Sequence, residues 1–247
     1  MASQIPANPK PIPLNKRLIF ALDVESPQEA QEWVSKLKDQ IKFYKVGLQL
    51  FLAGWFNIVD WIVQQDLEVM VDLKFFDVPQ TVASAFRQLK GHGISFTTVH
   101  GNDAILRAAV EARHDIAPAS HELNILAVTV LTSLDQADLQ DLGFNCSVEE
   151  LVLSRARRAL ALGCDGVVSS GLEAPRLRSD LGQNFLIVVP GVRPVQNRVD
   201  DQKRTVDLTG AFLAGADHVV VGRPIRQADN PVAVVETMQA QIAKAFG

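Results

Sequence analysis

From Arg17 onward the chain alternates between two kinds of pattern. Short runs rich in Val, Ile, Phe and Thr are followed by longer stretches in which apolar residues recur every three or four positions. The first pattern is that of a strand buried on both faces and the second that of an amphipathic helix, so their repetition reads as parallel βαβ units. Strands are predicted over 17–23 (RLIFALD), 43–47 (FYKVG), 68–74 (EVMVDLK), 94–100 (ISFTTVH), 123–131 (LNILAVTVL), 165–169 (DGVVS), 185–189 (FLIVV) and 217–222 (DHVVVG). Helices are predicted between and after them over 27–39, 49–65, 79–92, 103–115, 148–162, 173–180, 207–215 and 231–245. Eight such units in about 230 residues fit an α/β chain folded as one (β/α)8 TIM barrel. An open, doubly wound sheet is the alternative. It is disfavoured because the first strand runs into ALDVESP and not into a Gly-rich phosphate turn. No linker or change of composition divides residues 16–247, the expected barrel domain, whereas the proline-rich residues 1–15 read as a flexible or loosely docked arm.

Composition narrows the function by exclusion. There are 24 basic and 28 acidic side chains, a formal net charge of −4, which leaves no electrostatic footprint for nucleic acid. No apolar run reaches the roughly 20 residues that a membrane-spanning helix needs, and the N-terminus lacks the apolar core of a signal peptide. The two cysteines, Cys146 and Cys164, belong to no metal-ligand pattern and point to a reducing, cytoplasmic setting. No metal site is expected.

The informative departure from the apolar pattern is VDLKFFDVPQTV, residues 71–82. Asp72, Lys74 and Asp77 follow a strand that should be wholly buried, and ionisable groups there are costly unless they face one another or a ligand. In a barrel, functional side chains lie at the C-terminal ends of strands. Asp23, Lys45, Asp72, Lys74, His100 and Thr132 all fall at or just beyond such ends. Alternation along a strand turns Lys45, Asp72 and Lys74 toward the barrel mouth and Tyr44, Val46 and Leu73 toward the helices. Asp77 stands at the entrance of the next helix, where a carboxylate suits the dipole. The set Lys–Asp–Lys–Asp is neutral overall. It reads either as a structural network or as a catalytic one, and buried pairs are poor stabilisers, which favours catalysis. A carboxylate about 4 Å from an anionic substrate group costs on the order of 4 kcal/mol at moderate dielectric, and a neighbouring lysine can deliver a proton where negative charge develops.

A second site lies at the far side of the mouth. The last strand runs into Gly222-Arg223-Pro224, where glycine lets backbone amides approach an anion, Arg223 offers a bidentate fork, and Pro224 suits a first helical turn. Loops after strands seven and eight are the usual phosphate site of this architecture. The stretch PGVRPVQNRVDDQKR after strand seven is long enough to act as a lid.

The string DLKFFDVPQTV resembles the Asp-x-Lys-x-x-Asp signature of the orotidine 5′-phosphate decarboxylase family. ALDV, KVG, VTVLTS, PGVRP, DQKR and VGRPI extend the resemblance, in the family's order, across the whole barrel. The resemblance implies a cofactor-free carboxy-lyase of pyrimidine biosynthesis that converts orotidine 5′-monophosphate to UMP and CO2. In that reading Asp72 lies against the departing carboxylate, Lys74 protonates the carbanion at C6, and Lys45 and Asp23 hold the ribose hydroxyls. Thr132 contacts the pyrimidine, and Gln202, Arg223 and Arg193 with Gly222 take the phosphate. Asp77 and Thr81 are implied to cross to the other subunit of a homodimer. Phe76 departs from the family pattern, which often has His there, as does HGNDA after the fourth strand.

Two other functions are weighed. The magnesium-dependent hexulose-phosphate synthase and ketogulonate-phosphate decarboxylase barrels share Asp-x-Lys-x-x-Asp but resemble one another in carrying Glu near the end of strand two. Lys45 stands there in this chain, and an ammonium cannot ligate Mg²⁺. A catalytically silent nucleotide-binding barrel has no need of the four charges.

Overall fold

The structure, a computed structural model, describes residues 10–115, 123–192, 204 and 206–246. Its parallel strands are β1 (Leu18–Ala21), β2 (Phe43–Gly47), β3 (Glu68–Phe75), β4 (Phe96–Val99), β5 (Asn124–Val128), β6 (Gly166–Val168), β7 (Leu186–Val189) and β8 (His218–Val221). Each pairs with the next, and β8 pairs with β1, so the sheet is a closed barrel and the open doubly wound alternative is excluded. The helices are α1 (Leu14–Arg17), α2 (Pro27–Leu37), α3 (Leu48–Val63), α4 (Pro79–Arg87), α5 (Asp103–Arg113), α6 (Gln136–Asp141), α7 (Val148–Ala161), α8 (Ala174–Leu181), α9 (Leu208–Leu213), α10 (Arg223–Arg226) and α11 (Pro231–Phe246).

The alternation expected along the strands divides the core in two. Ile19, Ala21, Phe43, Met70, Phe96, Leu126, Val128, Val168, Val188 and Val220 fill the barrel interior. Leu18, Phe20, Tyr44, Val46, Val69 and Val71 point outward into the larger layer under the helices. Local signals start several helices. Ser26 accepts the Glu29 amide at the head of α2, Asn102 accepts the Ile105 amide at α5, and Ser147 and Glu150 form a capping box at α7.

Differences from the pattern-based boundaries have physical causes. The strand predicted over 123–131 ends at Val128, because Val130 is apolar for burial in the layer beneath the loop and not for pairing. The helix predicted over 49–65 is interrupted at Trp55, whose φ of 45° is left-handed. Helix α4 stops at Arg87, short of residue 92. The short helices α1, α6 and α10 fall below the length at which periodicity is readable. Part of the expected arm is attached: Lys10 donates to both oxygens of Asp217 at 2.9 Å and to the Phe185 carbonyl at 2.8 Å. Residues 1–9 of that arm lie outside the described residues.

Candidate active site

The mouth of the barrel, at the C-terminal strand ends, opens into a cavity of about 240 Å³. Asp23, Lys45, Asp72, Lys74, Thr132, Gly222 and Arg223 all line it, together with Met70, Val128, Val130, Leu131, Ser133, Val168, Pro190, Gly191 and Val220. Two walls of unlike character result, one ionic from the first three strands and one largely apolar from the fifth and sixth.

The ionic wall is a chain of alternating charge. Lys45 Nζ donates to Asp23 Oδ1 at 3.1 Å and lies 3.7 Å from Asp72 Oδ2, and Lys74 Nζ donates to Asp72 Oδ1 at 2.9 Å. The middle pair is sunk, with side chains 11% and 12% exposed for Lys45 and Asp72, while Asp23 and Lys74 are 48% and 36% exposed. Burial alone would drive both inner groups toward neutrality. For Asp72 it is outweighed by the Lys45 and Lys74 ammoniums and by hydrogen bonds from Lys74 and Thr98, so the carboxyl is held below its ordinary range. For Lys45 burial is outweighed by Asp72 and Asp23, and the ammonium is held above its ordinary range. Both stay charged at neutral pH, one flanked by two cations and the other by two anions.

The backbone under this wall is irregular. Met70 and Val71 pair with Phe96 and Thr97, but the next pairing joins Phe75 to Val99, so β3 carries extra residues against β4. Such a bulge re-aims side chains, and here Lys74 takes up a left-handed φ of 50°. A non-glycine residue so placed is strained by about 1–3 kcal/mol, a feature concentrated at functional sites.

Of the expected site residues, Asp77 and Thr81 do not line the cavity; both are exposed. The Asp77 carboxylate accepts the Val78 amide at 2.6 Å just ahead of α4. Gly222 and Arg223 stand where β8 meets α10, with Pro224 in its first turn. Arg193 and Gln202 lie outside the described residues.

Several contributors escape a reading of the sequence. Thr98 bridges the Asp72 carboxylate and the Lys74 amide, each at 2.9 Å. Its only advance sign is a polar residue at an inward position of β4. Arg226 donates to the Asp23 carbonyl at 2.6 Å and so fixes the end of β1 from α10. Arg204, buried and paired with Glu173 at 2.6 Å, donates to the Val130 and Leu131 carbonyls of the apolar wall at 3.1 and 3.0 Å. Gly47 leaves room for Lys45, since a methyl group there would lie 3.0 Å from Nζ. His100 ends in a structural bond, its Nδ1 facing the Val128 carbonyl at 3.0 Å.

Comparison with known proteins identifies the family of the chain. The family described as Orotidine 5'-phosphate decarboxylase / HUMPS matches residues 16–238. A protein of Methylococcus capsulatus named orotidine 5'-phosphate decarboxylase is 56% identical over 239 residues, covering 96% of each chain. One of the same name from Xanthomonas axonopodis pv. citri is 46% identical over 240 residues, again covering 96% of each. The crystal structure of orotidine 5'-phosphate decarboxylase from Lactobacillus acidophilus superposes with a TM-score of 0.81 at 33% identity, covering 92% of this chain and 99% of that one. The matched family model and the relatives aligned over nearly the whole chain show that this chain belongs to the orotidine 5'-phosphate decarboxylase / HUMPS family.

Proposed function

We propose that this chain decarboxylates orotidine 5′-monophosphate to UMP and CO2 in de novo pyrimidine biosynthesis, with its own side chains as the only catalysts. The observation that carries the reading is Lys45 Nζ lodged between Asp23 and Asp72. The family includes magnesium-dependent barrels as well. A metal site at this wall would need an oxygen ligand where the chain has a buried, charged ammonium.

The chemistry follows from the order of charges. A pyrimidine carboxylate brought against Asp72 meets an anion that its cations keep ionised, and the repulsion is relieved when the carboxylate leaves as neutral CO2. The C6–carboxylate bond breaks and its electron pair stays on C6. The Lys74 ammonium, beside that position, stabilises the pair and then transfers a proton to it. The resulting amine regains its proton from water. Asp23 and Lys45 bind the ribose hydroxyls, and Thr132 the pyrimidine. Gly222 and Arg223 hold the phosphate about the N-terminal turn of α10, joined in this reading by Arg193 and Gln202. The apolar wall of Val128, Val130 and Val168 suits a departing CO2.

The same reading makes the working unit a homodimer in which Asp77 and Thr81 serve the other subunit's cavity. Their exposure, and that of the large apolar side chains Leu48, Leu52, Trp55, Phe76 and Val78, support a face that a second copy covers. Purified protein incubated with orotidine 5′-monophosphate and EDTA should lose the substrate's absorbance and form UMP; no turnover overturns the proposal. Mixing Lys74→Ala with Asp77→Ala subunits should restore activity, because each heterodimer then holds one intact site. Absence of rescue after subunit exchange means that Asp77 acts within its own chain.

A further inference from the structure

We propose that Thr98 is a positioning residue for the decarboxylation, its hydroxyl fixing the relative orientation of Asp72 and Lys74; this rests on the function proposed above. Three observations converge on it. Thr98 faces inward from β4 and is fully buried, so water does not replace its contacts. It sits opposite the bulge of β3, where the regular pairing between Val71 and Phe75 is lost. Its Oγ1 lies 2.9 Å from the Lys74 amide and 2.9 Å from Asp72 Oδ1.

The direction of both bonds is determined. The amide of Lys74 can only donate, so Oγ1 accepts from it. An ionised carboxylate can only accept, so the hydroxyl hydrogen is directed at Asp72. The hydroxyl therefore stands in for the strand carbonyl that the bulge removed, and it holds Lys74 in its left-handed conformation. It also fixes the rotation of the carboxylate. Oδ1 receives both Thr98 and Lys74 Nζ, which leaves Oδ2 turned toward Lys45. A hydrogen bond to the charged form additionally favours the ionised carboxylate. One small side chain thus sets the place of the proton donor's backbone and the plane of the anion beside it. A purely space-filling role would be met equally by valine, which has the same shape without the hydroxyl.

The test compares Thr98→Val with Thr98→Ser under saturating and limiting orotidine 5′-monophosphate. Thr98→Val should lower kcat by about 10- to 100-fold, the penalty typical of a misplacement near 1 Å. KM and UMP affinity should stay within about threefold, since no group that binds the nucleotide is removed. Thr98→Ser should recover most of kcat. If valine fails to fold, Thr98→Ala against Thr98→Ser makes the same comparison at equal volume. Wild-type kcat in the hydroxyl-free variants, a serine variant as slow as the alanine one, or a loss confined to KM overturns the proposal. Inactive wild-type protein instead overturns the reaction assignment on which it rests, so the two failures are distinguishable.

Discussion

The two ends of this barrel each bury a carboxylate among cations, on opposite terms. At the floor, Asp217 accepts from Lys10, from Arg178 Nη2 at 2.7 Å and from the Ile187 amide at 2.9 Å. Arg178 gives its remaining hydrogens to the Phe185, Gly215 and Gln183 carbonyls at 2.8, 2.9 and 3.5 Å. Arg17 reaches the Asp217 and Lys10 carbonyls and lays its guanidinium 3.6 Å over the Phe246 ring. Apart from Arg17 Nε, which is buried without a hydrogen-bond partner, the protein itself answers these groups, and none of Lys10, Arg17, Arg178 and Asp217 is left-handed. At the mouth, the outer members of the charged chain, Asp23 and Lys74, keep open sides toward the cavity, and Lys74 is strained. A buried network that locks a fold is closed upon itself, whereas one built for a reaction is left incomplete in the direction from which substrate arrives.

The contrast can be broken most sharply at Lys74. Lys74→Ala should reduce kcat by about 10²- to 10⁴-fold, the range for a lost general acid, with little change in the midpoint of thermal unfolding. A fall in stability matching the fall in activity would make the mouth a structural network like the floor. Next in size is Asp217→Ala, which leaves Arg178 buried without its anion. Urea unfolding should show a loss of about 3–5 kcal/mol, while kcat per folded molecule stays at the wild-type value.

The smallest effect concerns His218, directed into the floor of the barrel with its ring perpendicular to those of Phe43 and Phe96. Its Nδ1 donates to the Lys16 carbonyl at 2.9 Å, and burial pushes its pKa down to about 4. The Lys16 carbonyl and Asp217 pull upward, and Arg17 and Lys10 push further down. The folded value lies below the unfolded one, so the unfolded chain binds more protons between about pH 6.5 and 4. Stability should therefore fall as the pH drops through that window, by at most about 1.4 kcal/mol per pH unit from this one group. His218→Gln should flatten the corresponding part of the stability curve. Equal slopes in the two proteins would show that the floor's acid sensitivity comes from elsewhere.

Much of this design was legible in the chain, and the exceptions share a cause. Strands such as FYKVG and FLIVV announce themselves because a strand buried on both faces has no polar face to confuse the pattern. The placing of Asp23, Lys45, Asp72 and Lys74 about one cavity follows from strand ends and alternation, both local properties. What was not legible depends on a second strand or a distant segment. The bulge is a mismatch of register between β3 and β4, and neither strand alone records it. Thr98 matters because of what the bulge leaves without a partner across the sheet. Lys10 looks like part of a proline-rich arm until Asp217, 207 positions away, is brought beneath it. The break at Trp55 has no counterpart in the periodicity of α3, which is apolar on both sides of it.

Gly47 carries a consequence for redesign of the cavity. Because an alanine methyl group at Gly47 would lie 3.0 Å from the Lys45 ammonium, the cation would have to give way by a few tenths of an ångström within its contacts to Asp23 and Asp72. The ionic wall is thus closed to enlargement from the β2 side. Room for altered substrates must come from the valines and leucine of the opposite wall, where a change of volume leaves the order of charges untouched.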